Sequence, residues 1–112
     1  MIEVGDYIRL KNGDIGKYFI RQFINYIDIN DNLWGIDIEN DIVKYSKNII
    51  DLIEVGDYVN GSKVIDIAQG KTKSVYIESQ EQKLALIPIV EKQIKSIVTK
   101  EQFANIEYIV ED

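Results

Sequence analysis

A chain of 112 residues with 46% hydrophobic and 29% charged residues suits one ordinary domain or two very small ones. It contains no cysteine and no histidine, which excludes disulfides, thiol nucleophiles, histidine general bases and zinc sites of the usual kind. Its formal charge of −6 is opposite in sign to that of a phosphate-binding surface, and no apolar run approaches the roughly 18 residues of a membrane span.

The first residues carry neither a basic nor a long apolar region, so no signal peptide is expected and the chain is expected in the cytoplasm. Ile2-Glu3-Val4-Gly5-Asp6-Tyr7 opens a first strand. Period two sends Ile8 and Leu10 to the core and Tyr7, Arg9 and Lys11 outward. Asn12-Gly13 supplies the positive φ of a hairpin turn. The following strand holds Lys17-Tyr18-Phe19-Ile20-Arg21-Gln22-Phe23, basic and aromatic residues interleaved as on a nucleic-acid platform. Arg9, Lys11, Lys17 and Arg21 then form a basic strip, with Lys63, Lys71 and Lys73 in the comparable region further on. The plainer alternative is an amphipathic strand with aromatic core residues.

Tyr26-Ile27-Asp28-Ile29, a polar turn at Asn30-Asp31-Asn32 and residues 33–38 read as two more strands. Alternation puts Trp34, Ile36 and Ile38 on one face, so Trp34 is expected in the core; an exposed Trp34 would be the best interface anchor in the chain. Asp28, Asn30, Asn32 and Glu39 fall on ligand positions of a calcium-loop template, but Leu33 stands where that template needs glycine. A hairpin turn is expected there, and no metal or other cofactor. No basic residue lies between Arg21 and Lys44, whereas Asp28, Asp31, Asp37, Glu39 and Asp41 all do. This makes an acidic face suited to a basic partner, such as a nucleic-acid-binding protein whose phosphate site it occupies; the alternative is solubilising charge. A helical turn starting at Ser46-Lys47 is expected to run into a fifth strand near residues 50–55.

The order then repeats. Ile53-Glu54-Val55-Gly56-Asp57-Tyr58 restates the opening hexapeptide and Asn60-Gly61 restates the turn. Val75-Tyr76-Ile77-Glu78 and Leu84-Ala85-Leu86-Ile87 restate the middle strands. Thr99-Lys100-Glu101-Gln102 reads as a capping box, followed by a strand over residues 106–110. Tyr58 occupies the position of Tyr7; both read as outward contacts, or else as residues packed under a loop or in the seam between halves.

These elements predict an all-β protein with short helical turns, as two units over residues 1–52 and 53–112. Each has four strands, a helical turn and a fifth strand, the order of an SH3-like small β-barrel, here two in tandem. Val4-Gly5-Asp6-x-Ile8-x-Leu10 followed by Gly13-x-x-Gly16 resembles the opening of KOW-type modules. A barrel of this size is marginal alone and no flexible linker intervenes, so a closely joined pair is expected. One larger β-structure mixing both halves is the alternative.

Ser96-Ile97-Val98-Thr99-Lys100-Glu101-Gln102-Phe103, ending Ile106-Glu107-Tyr108, resembles the tails of small phage and prophage proteins of low-GC Gram-positive bacteria, as do the two IEVGDY openings. The wealth of isoleucine, asparagine and lysine fits such a genome. The resemblance brings no catalytic residues, and small acidic phage proteins include inhibitors of host defences, anti-CRISPR proteins among them. It implies a binding protein that docks on a host protein, for example a defence nuclease, and inhibits it. The residues themselves nominate Asp28, Asp31, Trp34, Asp37, Glu39 and Asp41 for that contact, with Tyr7 and Tyr58. A nucleic-acid-binding module using Arg9, Lys11, Lys17 and Arg21, or a virion component, are the alternatives. With no phosphate loop and no nucleophile elbow, an enzyme is not expected.

Overall fold

A computed structural model describes residues 1–82 and 85–106. The chain divides into two compact units, Met1–Ile53 and Glu54–Asp112. The first unit has β1 (Tyr7–Leu10), β2 (Ile15–Arg21), β3 (Ile24–Ile29), β4 (Asn32–Gly35) and β5 (Ile42–Ser46), then a 3₁₀ turn at Ile49–Leu52. The second has β6 (Tyr58–Val59), β7 (Ser62–Gln69), β8 (Lys73–Glu78), β9 (Leu86–Val90), a 3₁₀ turn at Glu91–Gln93, β10 (Ile97–Val98) and α1 (Lys100–Ile106). The sheets run β4-β3-β2-β1-β5 and β10-β6-β7-β8-β9, with every pair antiparallel. Counted within its own unit, each sheet therefore has the strand order 5-1-2-3-4. The sequence repeat is a repeat of topology. No helix among the described residues is long and apolar enough to cross a membrane.

The repeated hexapeptide builds the same turn twice. Asp6 N–H donates to Glu3 O at 3.0 Å and Asp57 N–H to Glu54 O at 3.0 Å, with Gly5 and Gly56 at φ +94° and +99° in the third position. That φ is what a four-residue turn of this kind demands, and glycine adopts it without strain. Each aspartate then turns its carboxylate back on its own turn. Glu3 N–H donates to Asp6 Oδ2 at 2.9 Å, and Glu54 N–H to Asp57 Oδ2 at 2.8 Å. The second oxygen is met by the lysine of a hydroxyl–lysine pair about forty residues later. Lys47 Nζ donates to Asp6 Oδ1 at 2.8 Å, and Lys100 N–H to Asp57 Oδ1 at 2.9 Å. Both aspartates are buried, so each tie closes its unit head to tail.

The tie in the first unit is pH-dependent. The Lys47 ammonium, and after it the Glu3 N–H, hold the Asp6 carboxyl below the ordinary 3.8, while Asp6 holds Lys47 above 10.5. A depressed carboxyl pKa stabilises the fold in full above the unfolded value, and that contribution is lost as pH falls below 3.8. The lysine contribution is present below 10.5 and is lost as pH rises beyond it. In urea unfolding, the stability gap between wild type and Asp6→Asn should narrow steadily on acidification below about pH 4. A gap of constant size from neutral pH down to about pH 3 would rule this out.

Hairpin chemistry sets the registers. Asn60-Gly61, at φ 53° and 82°, make the two-residue turn between Val59 and Ser62, as their identities predict. In the first unit the loop is longer: Leu10 N–H reaches Asp14 O at 2.9 Å, and Gly13 alone takes the positive φ, 93°. Gly16 lets β2 and β3 approach, since a Cβ there would lie 2.4 Å from the Asp28 carbonyl oxygen. The first core collects Ile8, Leu10, Tyr18 and Ile27, with Ile2, Ile29, Ile36 and Ile42 against it. In the second unit Val59, Val64, Val75, Ile77 and Ile89 are buried.

Three expectations change. In the first unit the fifth strand precedes the helical turn instead of following it, since β5 pairs with β1 and the 3₁₀ turn comes after it; in the second unit β10 pairs with β6 ahead of α1. Ile49-Ile50-Asp51-Leu52 is a 3₁₀ turn packed on β1 and β5, because Asp51 turns back to bond the Ser46 hydroxyl. Arg9 does not face outward; it is wholly buried and its guanidinium donates to Leu52 O at 2.9 Å. The capping box forms as read, with Gln102 N–H to Thr99 Oγ1 at 3.3 Å and Thr99 N–H to Gln102 Oε1 at 3.1 Å. Ile106 ends α1, and the rest of the strand read over residues 106–110 lies outside the described residues, as does Leu84.

Candidate binding face

The third correction concerns Trp34. Alternation placed it on the core face, and that much holds: Trp34 pairs in register with Ile27, which is buried. Yet Trp34 is 61% exposed. It stands on β4, the edge strand of the first sheet, where all four residues are exposed. The core face simply runs out from under cover at this edge. An edge strand offers unpaired backbone groups, and proteins commonly blunt it with proline or lysine. In the second unit β9 carries Pro88 opposite Tyr76; Asn32-Leu33-Trp34-Gly35 has no such guard.

Beside Trp34 lies an open cavity of about 350 Å³ lined by Leu10, Ile27, Trp34, Gly35 and Ile36 and by the polar Lys11, Asn12, Asp14 and Asp41. Of the acidic residues read from the sequence, Asp41 lines it and the others lie outside its lining. Asp31 is exposed at the tip of the β3–β4 turn, where Asn30 and Asp31 adopt φ 51° and 69°. Glu39 is exposed in the loop that follows β4. Asp28 is half-buried, with Oδ1 buried and making no hydrogen bond. Asp41 is half-buried and accepts the Asp37 N–H at 2.8 Å.

Asp37 is occupied by its own loop. Its Oδ1 accepts Glu39 N–H at 3.0 Å and Asn40 N–H at 3.4 Å, and its Oδ2 accepts the Asn40 amide at 2.7 Å. The Asn40 amide, then the Glu39 N–H, hold its carboxyl below the ordinary carboxylate range. A change at Asp37 therefore alters loop shape as well as charge, so Asp31 and Glu39 are the cleaner positions for testing charge.

Of the two repeat tyrosines, Tyr7 belongs to the first unit and does not line the cavity, and Tyr58 belongs to the second. Tyr7 sits at the far end of β1 from Leu10, half-buried, with the Lys17 ammonium 5.5 Å from its ring centroid. Tyr58 is half-buried and stacks on Phe103, centroids 4.6 Å apart. The basic strip is broken by the burial of Arg9; Lys11, Lys17 and Arg21 remain exposed. Among the described residues no acidic cluster could hold a metal ion; Asp28, Asn30 and Asn32 of the calcium template lie on the β3–β4 hairpin, and Glu39 lies in the loop after β4.

The sequence reading missed the tip of the β2–β3 hairpin. Gln22 and Phe23 form its two-residue turn at φ 52° and 65°, and Phe19, Ile20, Phe23 and Ile24 are exposed. Neither residue is a turn former, so only the spacing of the flanking strands carried a signal.

Comparison of the chain with protein-family models, curated proteins and solved structures gives no match in any of the three.

Proposed function

We propose that the chain is a non-enzymatic binding protein made of two tandem SH3-like small barrels, and that the first docks its Trp34 face on a basic surface of a host protein and blocks it. The strand order 5-1-2-3-4 in both units supports the barrel reading, as does the 3₁₀ turn between the fourth and fifth strands of the second. The observation that carries the binding reading is Trp34, largely exposed at a cavity it lines with Leu10, Ile27, Ile36 and Asp41, on a stretch of chain that also carries the exposed Asp31 and Glu39. A large aromatic in a desolvating pocket is the usual energetic centre of an interface, and surrounding charge sets approach rate and partner choice. Carboxylates in this setting compete with phosphate for a basic groove, so a host nucleic-acid-binding protein is the favoured partner, a defence nuclease among them.

The test is affinity capture from a bacterial lysate, wild type beside the Asp31→Lys/Glu39→Lys double variant. The wild type should retain a basic nucleic-acid-binding protein that added DNA displaces. It should lose that protein at ~1 M salt, where the screening length is about 3 Å. The double variant, both changes at exposed positions, should retain at least about tenfold less. Equal retention by both, or retention indifferent to salt and DNA, would discard the acidic face as the contact.

A further inference from the structure

The exposed hairpin tip of the first unit and its Trp34 cavity share no residue and have matching chemistry. Phe23 is fully exposed and sits at φ 65°, a left-handed conformation that a bulky residue rarely takes. The same chain fills its other two-residue hairpin turns with Asn30-Asp31 and Asn60-Gly61, which adopt such angles readily. Gln22-Phe23 is the exception, and it puts an aromatic ring into water beside exposed Ile20 and Ile24. Contiguous exposed apolar surface of this kind marks an interaction site. Arg21 is the only charged residue from Tyr18 to Ile27, so the tip is apolar with a single cation.

That description fits a receptor already present on the molecule. The cavity is lined by Leu10, Ile27, Trp34 and Ile36 and, among charged residues, by Lys11, Asp14 and Asp41, so two carboxylates outnumber one ammonium there. An apolar cavity of about 150 Å³ accommodates benzene. The cavity here, about 350 Å³, has room for a phenyl ring and a neighbouring aliphatic side chain, with Arg21 left to meet the carboxylates. We propose that the Phe23 hairpin of one copy of this chain docks in the Trp34 cavity of a second copy. Tip and cavity share no residue, so a single tip-in-cavity contact is head to tail and propagates or closes into rings, and two reciprocal contacts close a two-fold dimer. The proposal rests on the Trp34 face being a binding face, and it sets self-association in competition with the host partner. A lipid surface fits less well, since the tip offers one cation and the chain is net negative. The same charge argues against nucleic acid at the tip.

Light scattering and sedimentation of the full chain over a wide concentration range test it. The wild-type mass should climb with concentration to that of a dimer or beyond. Phe23→Ser, at a fully exposed position, and Trp34→Ala should each weaken association by at least about tenfold. An equimolar mixture of the two variants should form a one-to-one dimer that grows no further, because one variant keeps the cavity and the other keeps the tip. A monomer at every concentration, association that survives Phe23→Ser, or a mixture that stays monomeric would each overturn the proposal. So would Phe23-dependent co-sedimentation of a monomeric chain with phospholipid vesicles, or a Phe23-dependent gel shift of single-stranded DNA. Phe23→Ser keeps Trp34, Asp31 and Glu39, so loss of self-association with host capture intact separates failure here from failure of the docking reading.

Discussion

Replacing Asp57 by alanine lowers the unfolding free energy by about 2–5 kcal/mol, enough to leave the second unit largely unfolded at room temperature. The side chain is wholly buried and its two oxygens accept two backbone donors, Glu54 N–H at 2.8 Å and Lys100 N–H at 2.9 Å. The first closes the turn that leads into β6, and the second belongs to the first residue of α1, one of the N–H groups a helix leaves unmet. Alanine leaves both part-buried N–H groups without this acceptor, each at about 1–3 kcal/mol. A core of this size rarely supplies more than about 3–5 kcal/mol in all. Asp57→Asn keeps one carbonyl acceptor and should recover part of the loss. Urea unfolding followed by far-ultraviolet circular dichroism reads the effect; a shift below about 0.5 kcal/mol, the range of a surface substitution, would show that the turn does not depend on its aspartate.

Trp34→Ala shows the opposite profile, with little change in stability and a large loss of binding. The side chain is mostly in water already, so its removal should move the unfolding free energy by no more than about 0.5–1 kcal/mol. As an interface anchor it should contribute at least about 2 kcal/mol, close to a thirtyfold change in affinity. Trp34 is the single tryptophan of the chain, so its fluorescence reports on this face alone. In the dilute free protein acrylamide should quench it readily; with the face occupied, by a host protein or by a second copy, quenching should fall. A tryptophan shielded from acrylamide in dilute monomer, or unchanged accessibility in the complex, would remove this face from consideration.

Much of the architecture was legible because it depends on local chemistry. The Asn60-Gly61 turn and the Thr99-Gln102 capping box follow from side chains that satisfy nearby backbone groups. The doubled hexapeptide marked the repeat because a glycine with positive φ followed by aspartate has one economical conformation, and the chain uses it at both places. Alternation also placed Ile8, Leu10 and Trp34 on the correct face of their strands.

By itself the sequence determined the strand-rich composition, the two-fold repetition and the side of the sheet to which each residue belongs, since period two and turn chemistry act over a few residues. Only the tertiary structure decided which parts of that side are covered. Arg9 lies buried because the 3₁₀ turn at Ile49–Leu52, some forty residues later, folds over β1 and presents a carbonyl to its guanidinium. Trp34 lies open because nothing in the first unit extends past the β4 edge to cover it. Coverage is a long-range property, fixed by where distant segments come to rest, and no local pattern encodes it.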